Sequence, residues 1–319
     1  MKKILTLLAL TISFIMNAQL TAVTEGGNTG QRLSTSNASN HGNIGSDAVD
    51  LSVQSLASST RGATGFKAVA MGSNTTASGS ISTAIGNANE ASGTFSTSMG
   101  VSTLASGYGS TSMGNYTVAS GWHSTAMGSN STASGSYSTA IGLYATASDY
   151  SSTVIGQHNS SGSSVTNNAT SFSTSNTAFV IGNGTNSSNK SDAFKVMFDG
   201  TTTIAGDLTI NSDARLKANI TSLGGTLAKL LKIDGKSYTM KKDQSEKQKI
   251  GLLAQDIQKV FPELVLESQG IKSVNYQGLV PVIINALKEQ DRKMKEQDRK
   301  MREQEERLER LERLVANMD

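Results

Sequence analysis

A fourteen-residue repeat runs through the first half of the chain and restricts what that half can fold into. Ile-Gly or Met-Gly dipeptides recur at this interval, and their glycines are Gly72, Gly86, Gly100, Gly114, Gly128, Gly142 and Gly156. Between them an Ala-Ser-Gly triplet recurs from Ala77 to Ala133. Self-similarity at a short fixed period is typical of stacked coils that pack only on their neighbours. A unit this small has no room for an enzyme pocket, so we predict a structural or binding rod.

The order of small residues within one repeat, for example residues 82–95, predicts two short strands and two corners. The alternation in Ser-Thr-Ala-Ile-Gly suits a brief strand, and the Ser-Gly and Gly-Asn steps suit tight corners. Together they describe one coil of a β-solenoid, whose interior we expect to hold mostly Ala with Ile or Met. Such a core is small against an ordering cost of about 1–2 kcal/mol per residue. We therefore expect several chains to pack side by side.

A disordered Ser/Gly linker is the alternative that composition favours. The strict register of Ile or Met over all the repeats argues against it, because a linker has no reason to keep a phase. Across about residues 63–158 the pattern resembles the head repeats of trimeric autotransporter adhesins, of the YadA-like and haemagglutinin-type heads. The resemblance implies a trimer wound as a left-handed β-roll and a role in adhesion.

The first residues have the features of a secretory signal peptide. Lys2 and Lys3 form a positive end, residues 4–16 an apolar stretch, and Ala18 a cleavage position. A membrane anchor is the weaker interpretation, because the apolar run is short for a bilayer span. We predict a signal peptide over residues 1–18, export to the cell surface or beyond, and no membrane span after its removal. A Ser/Gly/Asn-rich segment, residues 19–62, follows.

Charge and histidine placement argue against several classes of function. Residues 19–211 carry five Lys or Arg against eight Asp or Glu, and the remaining chain mixes both signs, so we expect no nucleic-acid partner. The chain has no Cys, which excludes disulfides and a thiol nucleophile. His41, His123 and His158 are far apart without a carboxylate or Cys nearby, so we expect no metal site. No phosphate-loop motif occurs, and no cofactor is expected.

Six aromatic or imidazole side chains fall in the variable positions between the small residues of the repeats. They could stack on sugars or contact a receptor, which would give the head a host or surface glycan or protein ligand. Scattered surface residues covering the coils are the simpler interpretation, and the one we favour. The six are Tyr108, Tyr116, Trp122, His123, Tyr137 and Tyr150.

Residues 159–211 are predicted to form a spacer and a β-rich neck. Residues 159–177 are almost entirely Ser, Asn and Thr and are typical of an irregular loop. Strand signals return at residues 178–181, and then on both sides of the Asp199-Gly200 turn. Leu208 and Ile210 continue the alternation.

The C-terminal third changes to a mixed α/β pattern. Residues 251–254 suggest a short buried strand, and residues 255–261 a helix that Pro262 stops. A long helix is predicted to begin near Gln277, with Pro281 tolerated in its first turn.

This long helix carries a heptad pattern over residues 282–319 that predicts a coiled coil. A single solvated charged helix is the alternative, and the persistent apolar seam argues against it. The Gln residues at the second seam position weaken the seam but can specify register. The pattern does not set the number of helices, and a trimer is chosen to match the head. The first seam position holds Val280, Leu287, Met294, Met301, Leu308 and Val315, and the second Ile283, Gln290, Gln297, Gln304, Leu311 and Met318.

Three motifs, residues 212–220, 251–265 and 274–281, are together similar to the peptidase S74 domain. This family includes the C-terminal intramolecular chaperone of phage endosialidase tailspikes. The resemblance implies a chaperone core over residues 212–281 that trimerises the preceding β-structure and then removes itself with a Ser-Lys dyad. It makes Ser212 the nucleophile, Lys217 the general base, and Asn211–Ser212 the scissile bond.

This chemistry is consistent with the residue types. A Ser hydroxyl is a weak nucleophile until a base takes its proton, and a desolvated neutral Lys can serve. Burial in a trimer interface would supply the desolvation, so cleavage would wait for assembly. Asp213, Arg215 and Asn219 are candidates to orient the dyad or stabilise the oxyanion, with packing or ion pairing as the simpler roles.

The combined prediction is a mainly β, exported homotrimeric adhesin-like rod. It has a β-solenoid head, a β neck and a small α/β chaperone domain ending in a coiled-coil helix. The chain would be a single-turnover autoprotease without external substrates. Two alternatives stay open: a binding protein whose C-terminal domain trimerises without cutting, and a phage tail-fibre-type protein, against which the signal peptide argues.

Overall fold

The computed structural model describes residues 20–241 and 247–317. The predicted signal peptide, residues 1–18, and the last seam residue, Met318, lie outside the described residues. The chain divides into two compact units between Ile210 and Asn211.

The first unit is built of β-strands, as predicted. Its described strands are β1 Leu20–Glu25, β2 Asn28–Leu33, β3 Val49–Val53, β4 Gly62–Ala63, β5 Val69–Ser73, β6 Thr76–Ala77, β7 Thr83–Asn87, β8 Glu90–Ala91, β9 Thr97–Val101, β10 Leu104–Ala105, β11 Thr111–Asn115, β12 Val118–Ala119, β13 Thr125–Ser129, β14 Thr132–Ala133, β15 Thr139–Leu143, β16 Thr146–Ala147, β17 Thr153–Gln157, β18 Thr177–Asn183, β19 Asp192–Met197 and β20 Thr202–Ile204. A 3-10 turn covers Ala38–Asn40.

The repeats form a β-solenoid of about nine coils. The five-residue strands from β3 to β17 and then β18 stack in parallel, so that Gly86 lies between Gly72 and Gly100. The two-residue strands β4 to β16 stack into a second parallel sheet. Each repeat therefore contributes one longer strand, one short strand and two corners, which confirms the predicted coil.

The interior of the coils is lined mainly by Ala, Ser and Thr. Ala84, Ala91 and Ala105 are fully buried, whereas Met71 and Ile85 lie on the outer face of the long strands and are partly exposed. The prediction that Ile or Met fills the interior was therefore wrong. Alternate strand residues point to opposite faces, and a coil this narrow accepts the small residue of each pair.

The glycines of the repeat fill positions that other residues cannot. Gly100 has φ +122°, and a Cβ atom there would overlap the carbonyl oxygen of Gly114 in the next coil. The same overlap recurs at Gly86 and Gly114. Coils stacked this closely exclude any side chain at this step.

The neck follows the prediction in part. Strand β18 pairs antiparallel with β19, which pairs with β20 beyond the Asp199-Gly200 turn. Residues 159–176 form the expected loop. The buried carboxylate of Asp149 holds it by accepting hydrogen bonds from the backbone N–H groups of Thr166 (2.6 Å) and Thr177 (2.8 Å). The expected strand through Leu208 and Ile210 was wrong, because these residues have no pairing partner strand and are exposed.

The second unit is small and mixed α/β. A 3-10 turn at Ala214–Leu216 opens it, and another at Pro262–Leu264 follows α2 directly. Its other described elements are α1 Thr226–Leu230, β21 Lys236–Tyr238, β22 Lys249–Gly251, α2 Ala254–Val260, β23 Val265–Ser268, β24 Ile271–Val274 and α3 Leu279–Ala316.

The core of this unit lies where α2 meets the start of α3. Ile257, Phe261, Leu264, Leu279 and Val282 pack together, with Leu230 and Leu252 at the edge. The helix predicted over residues 255–261 lies at Ala254–Val260, and the predicted long helix carrying Pro281 begins at Leu279. The buried strand at residues 251–254 was not correct: the strand is Lys249–Gly251, its Ile250 is 87% exposed, and Ala254 already begins α2.

The apolar seam of α3 lies open along the single chain. Val280, Leu287, Met294, Met301, Leu308 and Val315 are each between 54% and 64% exposed. Pairs such as Lys295–Asp291 and Arg299–Glu303 form ion pairs one turn apart on the same helix. A 38-residue helix with such a stripe has the surface that partner helices cover in a coiled coil.

Candidate functional site

The turn that opens the second unit brings residues 212 and 217 together. The Asp213 carboxylate caps the 3-10 turn by accepting the backbone N–H of Arg215 (2.9 Å). At the other end, the backbone N–H of Lys217 donates to the carbonyl of Ala214 (3.1 Å). This single turn folds the chain back, so that the Lys217 side chain reaches the residue before the turn.

Ser212 and Lys217 form a direct hydrogen bond. Nζ of Lys217 donates to Oγ of Ser212 at 2.7 Å. Both side chains are exposed, as is Asn211 on the other side of the predicted scissile bond. The two groups of the predicted dyad are therefore in contact within one chain, and their catalytic role stays a prediction.

Water exposure limits what this pair can do in a single chain. A lysine acts as a base only as the neutral amine, and burial away from water favours that form. The fold of the single chain supplies no such burial around Ser212 and Lys217. The turn sets the distance between the two groups. Their desolvation requires a second surface that covers them.

Asp213 and Arg215 form an ion pair beside the dyad. Nη2 of Arg215 lies 2.6 Å from Oδ2 of Asp213, and Nε lies 3.1 Å from both carboxylate oxygens. The hydrogen bonds of the Arg215 side chain and then of its backbone N–H lower the pKa of Asp213. Asn219 adopts φ +54° two residues after Lys217. Asp213 and Arg215 thus shape the turn that carries the dyad.

A second arrangement lies on one edge of the solenoid, where ring side chains from successive coils touch. We call Phe95, Tyr108, Trp122, His123, Tyr137 and Tyr150 the aromatic column. Successive members have ring centroids 5.0–5.8 Å apart.

The interpretation of these residues as scattered was wrong for five of the six aromatic positions named from the sequence. Tyr116 alone lies at the other corner of its coil, away from the column. Phe95 was missed, although it also follows an Ala-Ser-Gly triplet by two residues. Counting positions from that triplet would have aligned the whole column.

A third arrangement is a buried polar cluster in the N-terminal coil. Nδ1 of His41 lies 2.8 Å from Oδ2 of Asp50, and Arg32 bonds Glu25 at 2.6 Å while its Nε lies 3.5 Å from Asp50. The expectation that no carboxylate lies near a histidine was therefore wrong, since the coil returns Asp50 to His41. Burial would raise the pKa of Asp50, but hydrogen bonds from His41 and Ser52 outweigh it and lower that pKa.

Within the described ranges, no three His, Cys, Asp or Glu side chains are placed to hold a metal ion. None of the described helices combines the length and the apolar character that crossing a bilayer requires.

Parallel fourteen-residue coils, an antiparallel neck and a small α/β unit with a long helix define a mainly β protein built around a β-solenoid. Comparison with known families agrees with both resemblances. The model of the YadA head domain repeat, which holds two copies, matches in overlapping windows from residue 63 to residue 159. The Peptidase_S74 model, described as chaperone of endosialidase, matches residues 212–266. The chain therefore has a segment similar to YadA head repeats followed by one similar to the chaperone of endosialidase, as the motifs predicted.

A relative among characterised proteins is the long tail fiber protein Gp37 of Escherichia phage AR1. It is 31% identical over 100 residues, which cover 28% of this chain and 9% of that protein. The chain thus spans less than a tenth of the length of that relative. No solved structure matches the chain. The repeats, the chaperone domain and this relative together describe an adhesin-like or tail-fibre-like protein.

Proposed function

We propose that the chain is an exported, homotrimeric adhesin-like rod whose C-terminal unit assembles the trimer and then cleaves the Asn211–Ser212 bond. The observation that carries the proposal is the hydrogen bond of 2.7 Å between Nζ of Lys217 and Oγ of Ser212. It lies at the first residues of the chaperone match, one bond after the boundary between the two compact units. A cut there separates the two units at their boundary, with Asn211 alone left on the first unit.

The cleavage step balances with these residues and water alone. Neutral Lys217 accepts the hydroxyl proton of Ser212 while Oγ attacks the carbonyl carbon of Asn211. The Oγ–C bond forms, the peptide C–N bond breaks, and Lys217 passes the proton to the nitrogen of Ser212. Water then hydrolyses the ester, which leaves a carboxylate on Asn211 and a free amino group on Ser212.

Assembly supplies the switch for this step. In one chain the dyad is exposed to water, so the desolvation that a lysine base requires is absent. Packing of three C-terminal units would exclude that water and supply this desolvation. Cleavage would then follow assembly, so that only assembled rods lose their chaperone.

Two open apolar surfaces support a homotrimer. One is the seam of α3, with side chains such as Leu287 and Leu308 more than half exposed. The other is the outer row of the solenoid, where Met71 and Ile141 are 40% exposed and align in register with their neighbours. Covering both surfaces with further copies buries apolar area that a single chain leaves in water. The number three follows from the two matched families.

The kinetic role of the chaperone follows from topology. A rod with many contacts between chains forms slowly, and a coiled coil raises the effective concentration of the chain ends and sets their register. The finished rod would be held by a high barrier to unfolding after its helper is cut away.

Denaturing gels on purified full chain test the proposal. Wild type should yield the fragment Ser212–Asp319, whereas Ser212→Ala and Lys217→Arg should stay uncut, although Lys217→Arg keeps the charge and a donor. Light scattering on the same samples should give three chains for all variants. An uncut wild-type trimer would show that the chain assembles but does not cleave itself. Cleavage of Ser212→Ala would refute the role of the dyad.

A phage-type fibre is the second candidate, and the identity with the tail fiber protein of phage AR1 favours it. Fractionation of cells expressing the full chain separates the two. Export removes residues 1–18 and places the rod outside the cytoplasm, whereas an uncut N-terminus on cytoplasmic protein supports the phage-type fibre.

A further inference from the structure

The aromatic column runs along one edge of the solenoid at the corner that precedes each long strand. Its members come from five successive coils, from Phe95 to Tyr150. At about 4.8 Å per parallel strand step, these coils span about 19 Å. The column is thus a straight, narrow strip of rings rather than a pocket.

The backbone holds the corners of these coils in register. The N–H of Phe95 donates to the carbonyl of Ser80 (2.9 Å), that of His123 to Tyr108 (2.7 Å), and that of Tyr137 to Trp122 (2.7 Å). Successive rings are therefore placed by the coil spacing, independently of any ligand. Such a surface is organised before binding, which reduces the entropy that binding costs.

The rings keep open surface although they touch each other. Phe95 and Trp122 are each 48% exposed, and Tyr108 and Tyr137 are each 42% exposed. His123 stacks on Tyr137 at an interplanar angle of 20°, and its imidazole covers Gly109, where a Cβ atom would meet it. Edge-to-face pairs such as Trp122 with Tyr137 expose parts of ring faces and edges together. The column offers apolar ring surface combined with phenol, indole and imidazole hydrogen-bonding groups.

The coils that carry the column hold very few charged side chains. From residue 68 to residue 189 the charged side chains are Glu90 and Asp149, and Asp149 is fully buried. Polyanions bind mainly through complementary charge, and charge adds specificity and speed to the association of proteins. This stretch provides few charges for either. The corners carry Ser and Thr hydroxyls instead, such as Ser80 and Thr94. Rings flanked by hydroxyls match a ligand that has C–H faces and hydroxyl groups and carries no charge.

We infer that the aromatic column binds an uncharged glycan chain, laid along the solenoid with sugar rings stacked on successive aromatic side chains. This inference rests on the proposed adhesin-like role and names its ligand class. The negative faces of aromatic rings attract the C–H groups of a sugar ring, and the ring tips and corner hydroxyls hydrogen-bond its hydroxyl groups.

Trp122 makes the test direct, because it is the only tryptophan in the chain and lies in the middle of the column. Purified full chain is titrated with cellohexaose, mannohexaose and maltohexaose while Trp122 emission is recorded. At least one of these uncharged glycans should shift the emission with saturation. Polygalacturonate, a charged glycan, should shift it less.

Matched variants locate the binding. Tyr137→Ala and Phe95→Ala should each weaken binding at least tenfold. Tyr116→Ala should leave it unchanged, since Tyr116 is an exposed aromatic residue with the same positive φ at the other corner. Tyr137→Phe keeps the ring and should retain most of the binding. Far-ultraviolet circular dichroism must match wild type for each variant used.

Several results would overturn the inference. These are no emission change with any uncharged glycan, an equal loss in Tyr116→Ala and Tyr137→Ala, or a shift that depends on protein concentration without glycan, which would assign the column to a second copy. Gels and light scattering on the same samples report cleavage and trimer formation separately. A cut trimer that binds no glycan refutes this inference alone, and glycan binding by an uncut chain refutes only the self-cleavage.

Discussion

The buried side chains of the solenoid are mostly Ala, Ser and Thr, whereas those of the C-terminal unit include Ile257, Phe261 and Leu264. In the solenoid, backbone N–H groups donate to carbonyl groups one coil away, as from Thr97 to Ser110 at 2.9 Å. The C-terminal unit has a small apolar core and two-stranded sheets. Order in the solenoid therefore depends on backbone geometry, and order in the C-terminal unit depends on side-chain packing.

This difference makes the two units respond to different substitutions, and two spectroscopic probes separate them. Emission of Trp122 reports the solenoid, and circular dichroism at 222 nm reports mainly α3. Each of the following variants of the full chain should shift the urea unfolding transition seen by one probe and leave the transition seen by the other unchanged.

The largest effect is expected for Gly100→Val. A side chain at φ +122° costs about 1–3 kcal/mol, and its overlap with the Gly114 carbonyl adds about 1–3 kcal/mol or more. The free energy of unfolding measured from the Trp122 transition in urea should therefore fall by about 2–6 kcal/mol or more, with little change at 222 nm. The control is Gly27→Val, because Gly27 has φ +85° with open space around it and carries the strain alone. An equal loss in both variants would remove close coil stacking as the cause.

The reverse result is expected for Phe261→Ala. Removing this ring from the core shared with Ile257 and Leu264 should cost about 3–5 kcal/mol. The loss should be seen at 222 nm and not in Trp122 emission. Leu266→Ala, at a 70% exposed position of the same unit, should change the transition by about 0.5 kcal/mol or less. A matching loss in Trp122 emission would show that the two units unfold together.

The buried carboxylate of Asp50 tests whether charge, in addition to backbone geometry, stabilises the solenoid unit. Asp50→Asn weakens the contacts of a fully buried carboxylate with His41 and Ser52 and should cost about 1.5–3 kcal/mol at pH 7. Because folding lowers the pKa of Asp50, its contribution is present above the ordinary carboxyl pKa of about 3.9 and is lost as pH falls through the folded value.

The measurement is the urea midpoint of Trp122 emission at pH 7 and pH 3. The gap between wild type and Asp50→Asn should narrow at pH 3. Asp47→Asn, at an exposed position three residues away, should follow wild type at both values. A gap of equal size at pH 7 and pH 3 would show that the charge of Asp50 is not the cause.

The smallest effect is expected at a polar contact of the C-terminal unit. The Glu289 carboxylate on α3 accepts the hydroxyl and backbone N–H of Thr226 (both 2.9 Å) and the N–H of Leu227 (3.1 Å). These bonds, first of all that from the Thr226 backbone, lower the pKa of Glu289. Thr226→Ala removes one of them and should cost about 1–2 kcal/mol at 222 nm. Thr226→Ser keeps the hydroxyl and should recover most of the loss.

The repeat period was sufficient to predict coils, and strand alternation predicted two faces. Alternation alone does not say which face is internal, so Ile85 and Met99 were assigned to the interior. The width of the coil determines which face is internal, and that width depends on the backbone conformation at the two corners. Leu208 and Ile210 show the related error, since an alternating pattern forms a strand only where a neighbouring strand pairs with it.

The candidate site was predictable from motifs and not from spacing. Ser212 and Lys217 meet because a single 3-10 turn capped by Asp213 lies between them, and five-residue spacing alone does not specify that turn. The contact of His41 with Asp50 and the aromatic column depend on what each coil places over the last. Such contacts can be predicted only once the number of residues per coil is used to work out which residues lie next to each other in successive coils.

The pairing of glycines between successive coils has a consequence for how the number of repeats can change. Because each coil repeats the pairing of the one before it, as Gly86 on Gly100 and Gly100 on Gly114, gain or loss of fourteen codons changes the number of coils and preserves the strand pairing of the coils that remain. Each such event alters the reach of the rod by one step of about 4.8 Å. The gene can therefore adjust the length of the solenoid in small equal increments that keep the same pairing between coils.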